Sequence, residues 1–67
     1  MTTIRKALQS ARKDKGLTQK QVAEYLGITE RAYQNIEYGK TLGSINHWDK
    51  LEDLFARSQR ELRKLIP

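Results

Sequence analysis

Cysteine is absent from this 67-residue chain, and only one histidine, His47, is present. The first absence excludes disulfides and thiolate metal sites. The second leaves too few soft ligands for a zinc site. Together they remove most nucleophilic and metal-assisted chemistry, and the only adjacent carboxylates, Glu52 and Asp53, fall on an exposed helix face, so no catalytic site is expected. Proline occurs once, at the terminal Pro67, so nothing before it interrupts a helix. No apolar run approaches the roughly 20 residues that span a bilayer, and Met1-Thr2-Thr3-Ile4 lacks a signal-peptide core. A cytoplasmic protein without a membrane partner is the expectation.

Length bounds the rest. A chain this short supports one domain, residues 1–67, and removes only about 60% of its unfolded surface on folding. Disulfides and metals being excluded, a second subunit is the remaining support for so small a core. Charge is what the sequence has in excess: 13 Lys and Arg against 8 Asp and Glu, a net +5. That balance fits a nucleic-acid binder, although many small basic domains bind nothing anionic.

Glycines at 16, 27, 39 and 43 punctuate the chain, and between them apolar residues recur at helical spacing with no alternation of β type. The pattern predicts an all-α fold, a compact bundle of five helices. Helix one is expected from about Thr3 to Lys15, with Ile4, Ala7, Leu8 and Ala11 as its inner stripe. Helix two opens at Thr18, whose capping box is completed by Gln21, and buries Val22, Ala23 and Leu26. Helix three is capped by Thr29 and lies within the stretch from Gly27 to Lys40. Helix four spans about Ser44 to Arg57, with Ile45, Trp48, Leu51, Leu54 and Phe55 inward. A second capping box, Ser58 with Glu61, starts a fifth helix over about 58–66 that carries Leu62, Leu65 and Ile66.

Helices two and three hold the specific signal. With Gln19 counted as first, Ala23 is fifth and Gly27 ninth, and apolar Val22, Leu26, Ile28, Tyr33 and Ile36 fill the fourth, eighth, tenth, fifteenth and eighteenth places. A small residue lets two helices approach, and a glycine accepts the bend between them. This is the pattern of a helix-turn-helix over about 18–38, whose second helix enters a DNA major groove. On helix three, Thr29, Ala32, Tyr33 and Ile36 share one side, while Glu30, Arg31, Gln34 and Tyr38 point roughly opposite and Asn35 takes a flank. Arginine, amide and carboxylate groups are those suited to the edges of guanine, adenine and cytosine. On an isolated helix the same face would read as an ordinary solvated surface; inside a helix-turn-helix it reads as a base-reading one.

The stretches GLTQKQVAEYLGIT and YQNIEYGK resemble the Cro and phage-repressor family of helix-turn-helix regulators, also called the xenobiotic-response-element family. The likeness runs from about Ile4 to Leu62. It implies a lambda-repressor-like fold, double-stranded DNA as partner, a homodimer on a palindromic operator and a bacterial or phage origin; 67 residues provide no ligand pocket, so no cofactor or small-molecule ligand is expected. It places base contacts at Glu30, Arg31 and Asn35, with Gln34 nearby, and a phosphate contact at Gln19. Lys20, Tyr38, Lys40 and Thr41 are further phosphate candidates, Lys20 and Lys40 being equally plausible as solubilising lysines. The family also pairs the glutamate at position 37 with an arginine of helix one, here Arg12.

Three departures and alternatives accompany the likeness. Gly43 stands where many members have proline, which predicts a looser loop at 39–44 and leaves contacts from Ser44, Asn46 and His47 in doubt. Tyr33 replaces a common aliphatic residue, and Trp48 is assigned to the core rather than to base stacking. Leu62, Leu65 and Ile66 either finish the core or meet a second subunit; Arg57, Arg60, Arg63 and Lys64 would make only a weak membrane-surface helix. Functionally, a repressor is the leading expectation. An antitoxin that also neutralises a protein toxin, or an interaction module that has lost DNA binding, are the alternatives.

Overall fold

The computed structural model describes residues 4–65. Among these are five α-helices and no strand: α1 Lys6–Asp14, α2 Gln19–Leu26, α3 Glu30–Glu37, α4 Ile45–Phe55 and α5 Gln59–Leu62. Four of the five starts carry a side-chain cap. Thr18, Thr29, Ser44 and Ser58 each accept a hydrogen bond from the backbone N–H three residues on, satisfying donors that a helix start leaves free. At Thr18 the box closes, because the Gln21 side chain accepts from the Thr18 backbone N–H at 2.8 Å. At Ser58 only half of the expected box forms: the Glu61 carboxylate lies 3.9 Å from Arg57 instead.

Leu8 and Ala11 of α1, Val22, Ala23 and Leu26 of α2, Tyr33 and Ile36 of α3, Trp48, Leu51 and Phe55 of α4 and Leu62 of α5 form one buried cluster. Leu17, Ile28 and Leu54 pack against its edge. α2 and α3 make the most extensive helix pair, and α1 bridges α3 and α5 behind them. Between α2 and α3, Gly27 adopts φ +76° and the Ile28 N–H bonds back to the Ala23 carbonyl at 3.0 Å. That left-handed conformation costs a side-chain-bearing residue free energy that glycine is spared.

Several sequence expectations are corrected. α1 begins at Lys6, because the Arg5 N–H is taken by the Glu37 carbonyl at 3.0 Å and the chain there crosses the end of α3. Ile45 is 71% exposed rather than inward. As the first residue of α4 it stands about 90° around the helix from the centre of the Trp48–Leu51–Phe55 stripe. α5 ends at Leu62, well short of residue 66. Leu62 is wholly enclosed by the chain's own core, whereas Leu65 is 44% exposed; Ile66 lies outside the described residues.

The 39–44 loop is held rather than loose. Trp48 Nε1 donates to the Leu42 carbonyl at 2.7 Å and Arg5 Nη1 to the Thr41 carbonyl at 2.8 Å. Gly43 sits at φ +79°, where a Cβ would come within 3.2 Å of Ile36. Proline, locked near φ −65°, does not fit this loop.

Candidate nucleic-acid interface

The helix-turn-helix is braced from behind by two buried arginines. Arg12 Nε donates to Glu37 Oε2 at 2.9 Å and Nη2 to Oε1 at 3.1 Å, a two-point clasp between α1 and the end of α3. Its third donor reaches the Leu17 carbonyl at 2.9 Å. The hydrogen bond to Glu37 raises the Arg12 pKa against the opposing effect of burial. Glu37 is 1% exposed, although its angular position on α3 is a flank; α1 covers it. Fixed to Arg12, a carboxylate at the unfavourable negative end of a helix dipole is offset by a full positive charge.

The other arginine, Arg5, was not singled out by sequence. Its guanidinium donates to the carbonyls of Ile36, Thr41 and Arg63 and stacks 5.2 Å from the Trp48 ring centroid. Burial, and then the nearby Arg63 charge, lower its pKa, yet guanidinium stays charged in proteins. No carboxylate meets it among the described residues; carbonyls at the C-terminal ends of α3 and α5 do, where helix dipoles favour a cation. Arg5 thus joins the end of α3 to the following loop, α4 and α5. Its only sequence signal is a position one turn before the Leu8 stripe, which does not distinguish it from the chain's surface arginines.

Tyr33 is fully buried beside the Arg12–Glu37 pair, with its hydroxyl outside hydrogen-bonding geometry to any group among the described residues. Burial, and then the Glu37 charge, push its pKa up. His47 is half-buried, and its Nδ1 atom likewise has no partner among the described residues. Trp48 is buried in the core.

In front of this brace, the solvent side of α3 carries the residues proposed to read DNA. Glu30 and Arg31 are exposed, Gln34 and Asn35 half-exposed, and Tyr38 is exposed just past the helix end. Lys20 is exposed in the first turn of α2, and Lys40 and Thr41 are exposed after α3. The N–H groups of Lys40 and Thr41 both bond to the Asn35 carbonyl, at 2.8 and 3.2 Å, turning the chain sharply beneath that residue.

Gln19 connects front and back. Its Nε2 donates to Glu37 Oε1 at 3.3 Å and to Tyr38 Oη at 3.1 Å. Its Oε1 accepts from Gln34 Nε2 at 3.3 Å. Residues expected at phosphate (Gln19, Tyr38), at bases (Gln34) and in the brace (Arg12, Glu37) are therefore one hydrogen-bonded group. Lys20, Arg31 and Lys40 stand around it without an ion-pair partner among the described residues.

No helix among the described residues is long and apolar enough to cross a membrane, and no cluster of metal-ligating side chains occurs among them. No curated protein and no solved structure matches the chain. A helix-turn-helix family model matches residues 8–62, from within α1 to the end of α5. With α2 and α3 set as that motif requires, the chain belongs to the Cro/C1-type, or xenobiotic-response-element, family of DNA-binding helix-turn-helix regulators.

Proposed function

We propose that the protein is a sequence-specific transcriptional repressor that occupies a palindromic operator as a homodimer, each α3 lying in a major groove. The observation that carries this is the division of α3. Tyr33, Ile36 and Glu37 are locked inside, while Glu30, Arg31, Gln34 and Asn35 are left on one outward face, Gln34 with one amide N–H given to Gln19 and its oxygen and second N–H still free. Arg31 suits guanine O6 and N7, the amides suit adenine, and Glu30 suits the cytosine amino group. Free backbone N–H groups at the start of α2, Lys20, Tyr38, Lys40 and Thr41 flank that face and suit phosphates, giving affinity that depends on salt but not on sequence.

For the dimer, Leu62 is spent on the core, so the exposed apolar residues Leu42, Ile45 and Leu65 are the better contacts. Arg5 ties the Thr41 carbonyl, next to Leu42, to that of Arg63, two residues before Leu65. A two-fold dimer sets its half-sites about 34 Å apart. Cytoplasmic action follows from the same reading.

Selection of bound duplexes from a random pool tests it: two inverted half-sites about one helical turn apart are expected. Arg31→Ala should weaken binding by about 1–3 kcal/mol at one base pair and relax the preference there. Unchanged discrimination in that variant would remove Arg31 from readout, and an absence of salt-sensitive binding would remove the DNA role.

A further inference from the structure

The Gln19–Gln34 contact limits what Gln34 can recognise. A carboxylate clasped by arginine offers only lone pairs, so the amide of Gln19 must turn its NH2 toward Glu37. Both Gln19 hydrogens are then used, on Glu37 and Tyr38, and its oxygen is left facing Gln34. Gln34 must answer with a donor. One of its two amide hydrogens is spent on Gln19, and an oxygen and a single N–H remain for DNA.

We propose that Gln19 is a positioning residue that sets base specificity through Gln34, favouring adenine over guanine at the base pair Gln34 faces. Adenine presents an N6 donor beside the N7 acceptor, which matches one oxygen and one N–H. Guanine presents two acceptors, O6 and N7, and a two-point contact would need both Gln34 hydrogens. The anchor of this arrangement is the buried Glu37, itself fixed by Arg12 on another helix, so the orientation is in place before DNA arrives. Tyr38, accepting from Gln19 through its hydroxyl oxygen, keeps its own O–H free for a phosphate.

The inference rests on α3 docking in the major groove, and the experiment separates the two. The wild-type protein and three variants, Gln34→Ala, Gln19→Met and the double variant, are each used to select duplexes from a random pool, with a thermal melt of each protein. Gln34→Ala identifies the base position concerned. Gln19→Met should lose the adenine-over-guanine preference at that same position by roughly tenfold, whatever overall affinity it loses. The double variant should lose no more preference there than Gln34→Ala alone. Gln19→Ala, which keeps a strong helix former in α2, repeats the test if the methionine variant melts early.

Uniform weakening on every sequence, with the adenine preference intact, would overturn the proposal and leave Gln19 a phosphate contact only. A wild-type site without adenine at the Gln34 position would overturn it equally. Loss of all salt-sensitive binding in the wild type would instead refute docking itself, and the proposal with it.

Discussion

Arg12→Met is the most informative single change for stability. The substitution keeps a long, unbranched side chain of helix-forming type and removes three donated hydrogen bonds, two to Glu37 and one to the Leu17 carbonyl. What remains is a carboxylate 1% exposed, whose one other hydrogen bond among the described residues is a 3.3 Å contact from Gln19. Breaking a buried pair from one side costs about 3–5 kcal/mol, because the surviving charge stays out of water. A domain of this length has total stability of roughly 3–10 kcal/mol, so the variant should lose between about a third and all of it. Pairing it with Glu37→Leu removes the stranded charge and should recover most of the loss. Urea titrations followed by Trp48 fluorescence and by helical circular dichroism measure both variants. A loss under about 1 kcal/mol for Arg12→Met, or a double variant no more stable than the single, would refute the view that Arg12 offsets a buried charge.

Two further outcomes follow from the core and the helix ends. The raised pKa of Tyr33 means the folded state holds its phenol proton more tightly than the unfolded chain does. That contribution is intact below the unfolded tyrosine pKa of about 10 and is lost as pH rises above it, by up to about 1.4 kcal/mol per pH unit. Tyr33→Phe, which removes a hydroxyl that has no partner among the described residues, should change stability at pH 7 by less than about 1 kcal/mol and flatten that alkaline fall; urea titrations at neutral and alkaline pH check both. Ala56 ends α4 at φ +53°, the one non-glycine residue with positive φ among those described. Ala56→Gly should raise the melting temperature through a gain of up to about 1 kcal/mol, read by a thermal melt.

Much of this architecture was legible along the chain because its signals are local. Helical spacing, the caps at Thr18, Thr29, Ser44 and Ser58 and the glycine bend at Gly27 each depend on residues within a turn or two of one another. They were enough to locate α2 and α3 and to separate the face of α3 carrying Arg31 and Gln34 from the side carrying Tyr33 and Ile36. Angular position alone could not say that Glu37 is buried, since α1 arrives from 25 residues away to cover it. Nor could it show that Leu62 closes the core while Ile45, an equally apolar residue, is left in solvent at the open end of α4.

The amino-acid sequence by itself determined which segments coil, where they stop and which polar side chains are surplus to the core. Only the tertiary structure decided how those side chains are joined. Arg5 reaches a carbonyl 58 residues away, and Gln19 meets Gln34 across a turn between helices. Such contacts are set by how packed helices approach in space. The pattern within each helix fixes its buried side but not which polar atom of a neighbour will face it.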